Sequence, residues 1–147
     1  MLSVLFQWQG GGVVNPSSDE KFIDNWNEQF KDEFISREDI LDCLKNKKFE
    51  NIELIQGDIL KTLDEYVEKH PELRIAFLHI DTDVYAPAKK GLEVLFDRVV
   101  RGGLVVFDDY AVIEGETLAV DEFFKDTDYI FEKFSFSHTK PSFLIKK

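Results

Sequence analysis

A layered α/β fold built on a largely parallel sheet is predicted by three observations. Short apolar runs alternate with stretches of helical periodicity from about residue 51 onward. Glycine and proline punctuate the change from one to the other, as at Pro71, Pro87 and Gly102-Gly103. Two of the apolar runs end in acids, Ile75-Ala-Phe-Leu-His-Ile80 in Asp81-Thr-Asp83 and Leu104-Val-Val-Phe107 in Asp108-Asp109. If those runs are neighbouring parallel strands, the acids meet on the rim where open α/β sheets bind ligands.

The elements follow in order. The opening Met1-Leu-Ser-Val-Leu-Phe6 is compatible with a short strand, but Gly10-Gly-Gly12, Asn15-Pro16 and two serines read as loop, and residues 1–18 receive no fold assignment. From Asp19, a helical spacing of Phe22, Ile23, Trp26, Phe30 and Phe34 predicts a helix. Ser36 followed by Asp39 is a capping signal for a second, carrying Ile40, Leu41 and Leu44. Residues 51–56 predict a strand ending at Gly57-Asp58. Ile59, Leu60, Leu63, Tyr66 and Val67 then predict an amphipathic helix stopping before Pro71.

A strand over 75–80 comes next. Pro87 suits the first turn of a helix whose Leu92, Leu95, Phe96, Val99 and Val100 repeat at helical spacing, closed by Gly102-Gly103. A buried strand over 104–107 precedes a helix over about 117–125. Residues 129–136 and 142–145 predict two strands joined at His138-Thr-Lys-Pro141, an antiparallel hairpin.

A chain of 147 residues that is 44% hydrophobic suits a single domain over 1–147 with a core of its own. A net charge of -11 argues against nucleic acid, whose phosphates need clustered Lys and Arg. The longest apolar stretches fall far short of the roughly 20 residues of a spanning helix. No basic segment followed by an apolar one opens the chain, so the expected location is cytoplasmic. Cys43 has no internal disulfide partner and is expected on a partly buried helix face.

Carboxylates at two adjacent strand ends offer oxygen ligands, which suit Mg²⁺, Mn²⁺ or Ca²⁺. His70, His79 and His138 show no zinc spacing. Strand-end acids also cap helices, so Asp58 is open to either role, as are Asp83 and Tyr85, which lie between the strand and the Pro87 helix. The same holds for Gly57, which relieves a tight turn.

The segments Phe77-Leu-His-Ile-Asp-Thr-Asp-Val-Tyr85, Arg101-Gly-Gly-Leu-Val-Val-Phe-Asp-Asp-Tyr110 and Gly115-Glu-Thr-Leu-Ala-Val-Asp-Glu-Phe123 together resemble the macrocin O-methyltransferase (TylF-like) family of S-adenosylmethionine-dependent enzymes. The resemblance runs from about Phe49 to the C-terminus. It implies a class I methyltransferase (Rossmann-like) sheet, mostly parallel with an antiparallel C-terminal strand. It implies methylation of a sugar hydroxyl on a glycoside or nucleotide-sugar. It further implies Mg²⁺ held by residues matching Asp81, Asp108 and Asp109, with Gly57, Asp58 and Asp81 on the cofactor side. For the proton acceptor, Asp81 and His138 are the candidates, with His79 on the same strand face as Asp81.

The family's Glu/Asp-x-Gly-x-Gly loop and the acid after its second strand have no counterpart here. The chain is therefore expected to be a C-terminal part lacking N-terminal strands, with an open sheet edge. The alternative function is a non-catalytic remnant of that fold, or an interaction module that self-associates through the edge. A phosphoacceptor receiver domain has its acid pair in the other order, and a nicotinamide dehydrogenase would need a GxGxxG that is absent.

Overall fold

The computed structural model describes residues 3–7, 17–29, 36–136 and 142–147. Four strands form one sheet in the order β3-β4-β6-β5, comprising β3 (Ile75–Ile80), β4 (Val99–Phe107), β5 (Glu132–Lys133) and β6 (Ser142–Ile145). The pair β3 and β4 is parallel, and β6 runs antiparallel to both β4 and β5. A second sheet joins β1 (Ser3–Gln7) and β2 (Ile52–Gln56) in parallel, Ser3 opposite Ile52 and Gln7 opposite Gln56. The opening segment thus contributes a strand, although its partner lies far along the chain.

Helices α3 (Ile59–Lys69), α4 (Tyr85–Leu95) and α5 (Glu114–Phe124) supply the core with one face each. Ile59 and Leu63, then Ala88, Leu92 and Leu95, then Ala119, Val120 and Phe124 meet Leu78, Ile80, Val105, Phe107 and Leu144 of the sheet. Alternation of side chains along a strand explains the selection, because these five strand residues lie on a single face. On the other face, register aligns Phe77 with Leu104 and Ile145, and His79 with Val106 and Phe143. Phe77 there is 55% exposed.

Helices α1 (Ser17–Gln29) and α2 (Arg37–Asn46) precede β2. The capping signal of α2 is realised in both directions: Ser36 Oγ accepts from the Asp39 backbone N–H, and Asp39 Oδ2 accepts from the Ser36 N–H, each at 3.1 Å. No residue of α2 is buried, and Cys43 is exposed, a correction to the expected half-buried position. Phe30 and Phe34, expected to extend the stripe of α1, lie outside the described residues.

Three boundaries differ from expectation for identifiable reasons. Gly102-Gly103 does not close a helix: α4 ends at Leu95, a 3₁₀ turn covers Phe96–Arg98, and both glycines lie inside β4. There β4 bulges, since Ile75 pairs with Val99 but Phe77 with Leu104. Gly102 has φ +78°, and a Cβ on Gly103 would lie 2.8 Å from the Val100 carbonyl oxygen, so side chains are disfavoured at both. Helix α5 begins at Glu114, three residues before the expected start. In the hairpin, only Glu132 and Lys133 among the described residues of 129–136 pair with β6. Tyr129 and Phe131 alternate like strand residues but are drawn into an aromatic cluster, Phe131 stacking on Tyr110 with centroids 5.1 Å apart and Tyr129 meeting Phe124 at 5.6 Å.

Candidate active site

Parallel pairing of Ile80 with Phe107 delivers the two acidic loops to one point of the rim. One carboxylate oxygen from each of Asp81, Asp108 and Asp109 lies within 4.8 Å of the others. Asp81 and Asp108 are exposed and Asp109 is half-buried. Asp83 joins them from the β3–α4 loop, where it adopts φ +61°, and hydrogen-bonds to Asp109.

Crowding of like charges has an electrostatic signature. Burial, then the fields of Asp83, Asp108 and Asp81, pushes the Asp109 carboxyl from 3.8 up to about 7. Burial followed by the field of Asp81 raises Asp83 as well. The Asp83–Asp109 hydrogen bond acts in opposite senses on the pair, raising the Asp109 carboxyl and lowering that of Asp83. The converging oxygens of Asp81, Asp108 and Asp109, with no Lys or Arg among the described residues paired to them, form a donor set of hard oxygens that fits a divalent metal. Among the described residues, the partner of Asp108 is His79, whose Nε2 lies 3.2 Å from Oδ1.

The loops are held from below by two acids to which sequence reasoning gave no role. Glu116, fully buried in the first turn of α5, accepts from the Thr82 N–H through Oε2 at 3.2 Å and from the Asp109 N–H through Oε1 at 3.1 Å. Burial is the main reason its carboxyl is pushed up to about 8. Asp19 of α1, 1% exposed, accepts from the Tyr85 N–H at 2.7 Å and lies directly against Gly115, where a Cβ would collide with its carboxylate. The helix α4 is therefore capped by Asp19 rather than by Asp83 or Tyr85; the Tyr85 hydroxyl instead donates to Glu122 at 2.5 Å. A signal for Glu116 was present, because it shares the helix face of Ala119, Val120 and Phe123. Asp19 offered none, being 66 residues from its partner.

The remaining candidates stand apart from this cluster. Gly57 and Asp58 follow β2, in the two-stranded sheet. Gly57 has φ +131° and Asp58 caps α3, its Oδ1 accepting from the Leu60 N–H at 3.1 Å. Of the two readings left open for Asp58, the cap is thus realised. His138 lies outside the described residues.

A family model described as Macrocin-O-methyltransferase (TylF) matches residues 17–135. The O-methyltransferase NovP has a similar structure at a TM-score of 0.79 and 21% identity, over 99% of this chain and 60% of that one. The apo structure of a TDP-rhamnose 3'-O-methyltransferase of calicheamicin biosynthesis gives 0.63 and 21%, over 78% and 55%. An rRNA methylase from Streptococcus thermophilus gives 0.53 and 21%, over 76% and 68%. At these identities the likeness is one of fold, that of class I methyltransferases. The chain spans 55% and 60% of the length of the calicheamicin enzyme and NovP, respectively. No curated protein sequence matches it. Among the described residues, no helix is long and apolar enough to cross a membrane.

Proposed function

Because the chain belongs to the macrocin-O-methyltransferase (TylF) family, we propose that it serves S-adenosylmethionine-dependent methylation of a sugar hydroxyl on a glycoside or nucleotide-sugar, assisted by a divalent cation such as Mg²⁺. The convergence of Asp81, Asp108 and Asp109 at the sheet rim carries this reading. These three residues would hold the cation. When bound, it supplies Lewis acidity that lowers the pKa of a hydroxyl and orients it.

Methyl transfer from a sulfonium to an alcohol forms one C–O bond and breaks one C–S bond, leaving a neutral thioether. The hydroxyl proton must go to a base. Asp81 was the rim candidate from sequence. Asp83 in the same loop lies outside the trio of converging oxygens, and burial raises its affinity for a proton. We assign the proton to the Asp83 carboxylate. Asp109, hydrogen-bonded to Asp83, holds that carboxylate in place. His79 orients Asp108 through the 3.2 Å contact. Gly57 and Asp58 would line the adenosine side, where Gly57 lets the backbone turn and Asp58 presents Oδ2, 3.6 Å from the exposed Lys61 ammonium, beside its capping oxygen.

Incubation of the chain with methyl-labelled S-adenosylmethionine, Mg²⁺ and a panel of nucleotide-sugars and glycosides tests the proposal. Label transfer that requires both the cation and Asp83 is expected. No transfer to any acceptor, with no binding of S-adenosylmethionine, would favour a non-catalytic module of the same fold.

A further inference from the structure

Every hydrogen bond that Glu116 makes across the site runs to one of the two acidic loops. Its Oε2 takes the N–H of Thr82, the residue after Asp81; its Oε1 takes the N–H of Asp109; and its own N–H donates to the Asp83 carbonyl at 3.2 Å. One residue, fully buried, therefore bridges the main chain of both loops, at Asp109 in one and next to Asp81 in the other. We propose that Glu116 is a positioning residue that sets the spacing of Asp81 against Asp108 and Asp109, and with it the affinity of the rim for a divalent cation. The inference rests on the reading of that rim as a metal site.

Geometry separates this role from two others. Each Glu116 oxygen is committed to a backbone N–H, so the residue is not a ligand of the trio. It is also sealed from solvent, which removes it as the base that meets a substrate hydroxyl. A clamp needs two acceptor oxygens at one end of a side chain, which a carboxyl has whether ionised or protonated, since a hydroxyl oxygen still accepts, and which an amide lacks. Glu116→Gln would retain the volume but turn one acceptor into a donor facing an N–H, releasing one loop.

The probe is Mn²⁺ alone, titrated calorimetrically into the unaltered chain, Glu116→Gln and Leu63→Ala. Leu63 is fully buried in α3 and belongs to the hydrophobic core rather than to either loop, so it controls for a general loss of stability. The Gln variant is expected to bind Mn²⁺ about 10-fold or more weakly, the scale of lost outer-shell support. Its Thr82 and Asp109 amides are expected to exchange faster in the metal-free state, while Leu63→Ala melts earlier yet binds Mn²⁺ as the unaltered chain does. Unchanged binding by Glu116→Gln, or equal weakening by Leu63→Ala, would overturn the inference. Should Glu116→Gln fail to fold, amide exchange in the unaltered chain decides: Thr82 and Asp109 protected to the limit of global unfolding sustain the clamp, and rapid exchange overturns it. Absence of Mn²⁺ binding by the unaltered chain would overturn the rim reading itself, and is distinguished because it is seen before any substitution.

Discussion

The backbone N–H of Asp108 donates to the carbonyl oxygen of Ile80 at 2.9 Å. That bond extends the β3–β4 ladder one step past the last paired residues, so both acidic loops leave the sheet side by side. The carboxylates are close because the backbones are, and the repulsion they suffer is built in by the ladder.

Removing a ligand from such a cluster separates metal response from folding. Asp81→Ala and Asp108→Ala, both at exposed positions, are expected to fold and to melt no earlier than the unaltered chain without metal. Saturating Mg²⁺ at 100 times its dissociation constant should stabilise the unaltered chain by about 2.7 kcal/mol and neither variant measurably. Thermal melts with and without Mg²⁺ check this, and an unchanged response in both variants would remove the metal site.

Stability without metal should fall as pH rises. Glu116 goes from 4.5 to about 8 and Asp109 from 3.8 to about 7, burial being the largest cause for each, with the fields of the neighbouring aspartates adding to it. Raised acids bind more protons in the folded chain than in the unfolded one across that window. Their protonated forms thus favour folding below the unfolded values, and the penalty of ionisation grows until pH passes the folded ones. Chelator-treated protein is expected to melt later near pH 5 than near pH 8, with a shallower slope in Glu116→Gln. A melting temperature that climbs over this range would contradict the assignment.

The junction of α1 with the site should be intolerant of small changes. Asp19→Ala leaves the half-buried Tyr85 N–H without its acceptor, at a cost of about 1 kcal/mol. Gly115→Ala drives a methyl into the Asp19 carboxylate, and overpacking of this kind costs about 1–3 kcal/mol. Denaturant unfolding measures both, and a neutral Gly115→Ala would show that α1 is not seated as described.

Where sequence was informative, the signal was local. The bounds of β3 and β6 follow from short apolar runs with clear flanks, and the α2 capping box from two residues three apart. The acidic rim was legible because strand order alone brings Asp81 to Asp108. What stayed hidden depends on partners distant in sequence. Asp19 reads as a solvated charge at the start of a helix until Tyr85 and Gly115 surround it. Gly102-Gly103 has the same appearance in a helix stop and in a strand bulge, and only the pairing of Phe77 with Leu104 distinguishes them. Strand β1 pairs with β2, from which α1 and α2 separate it along the chain, so its place in a sheet has no local signal.

Calorimetric titration of the folded chain with S-adenosylmethionine, in the presence and absence of Mg²⁺, tests the central claim most directly. A methyltransferase of this family is expected to bind the cofactor saturably, and any failure to bind in either condition would contradict the claim that this chain carries the activity.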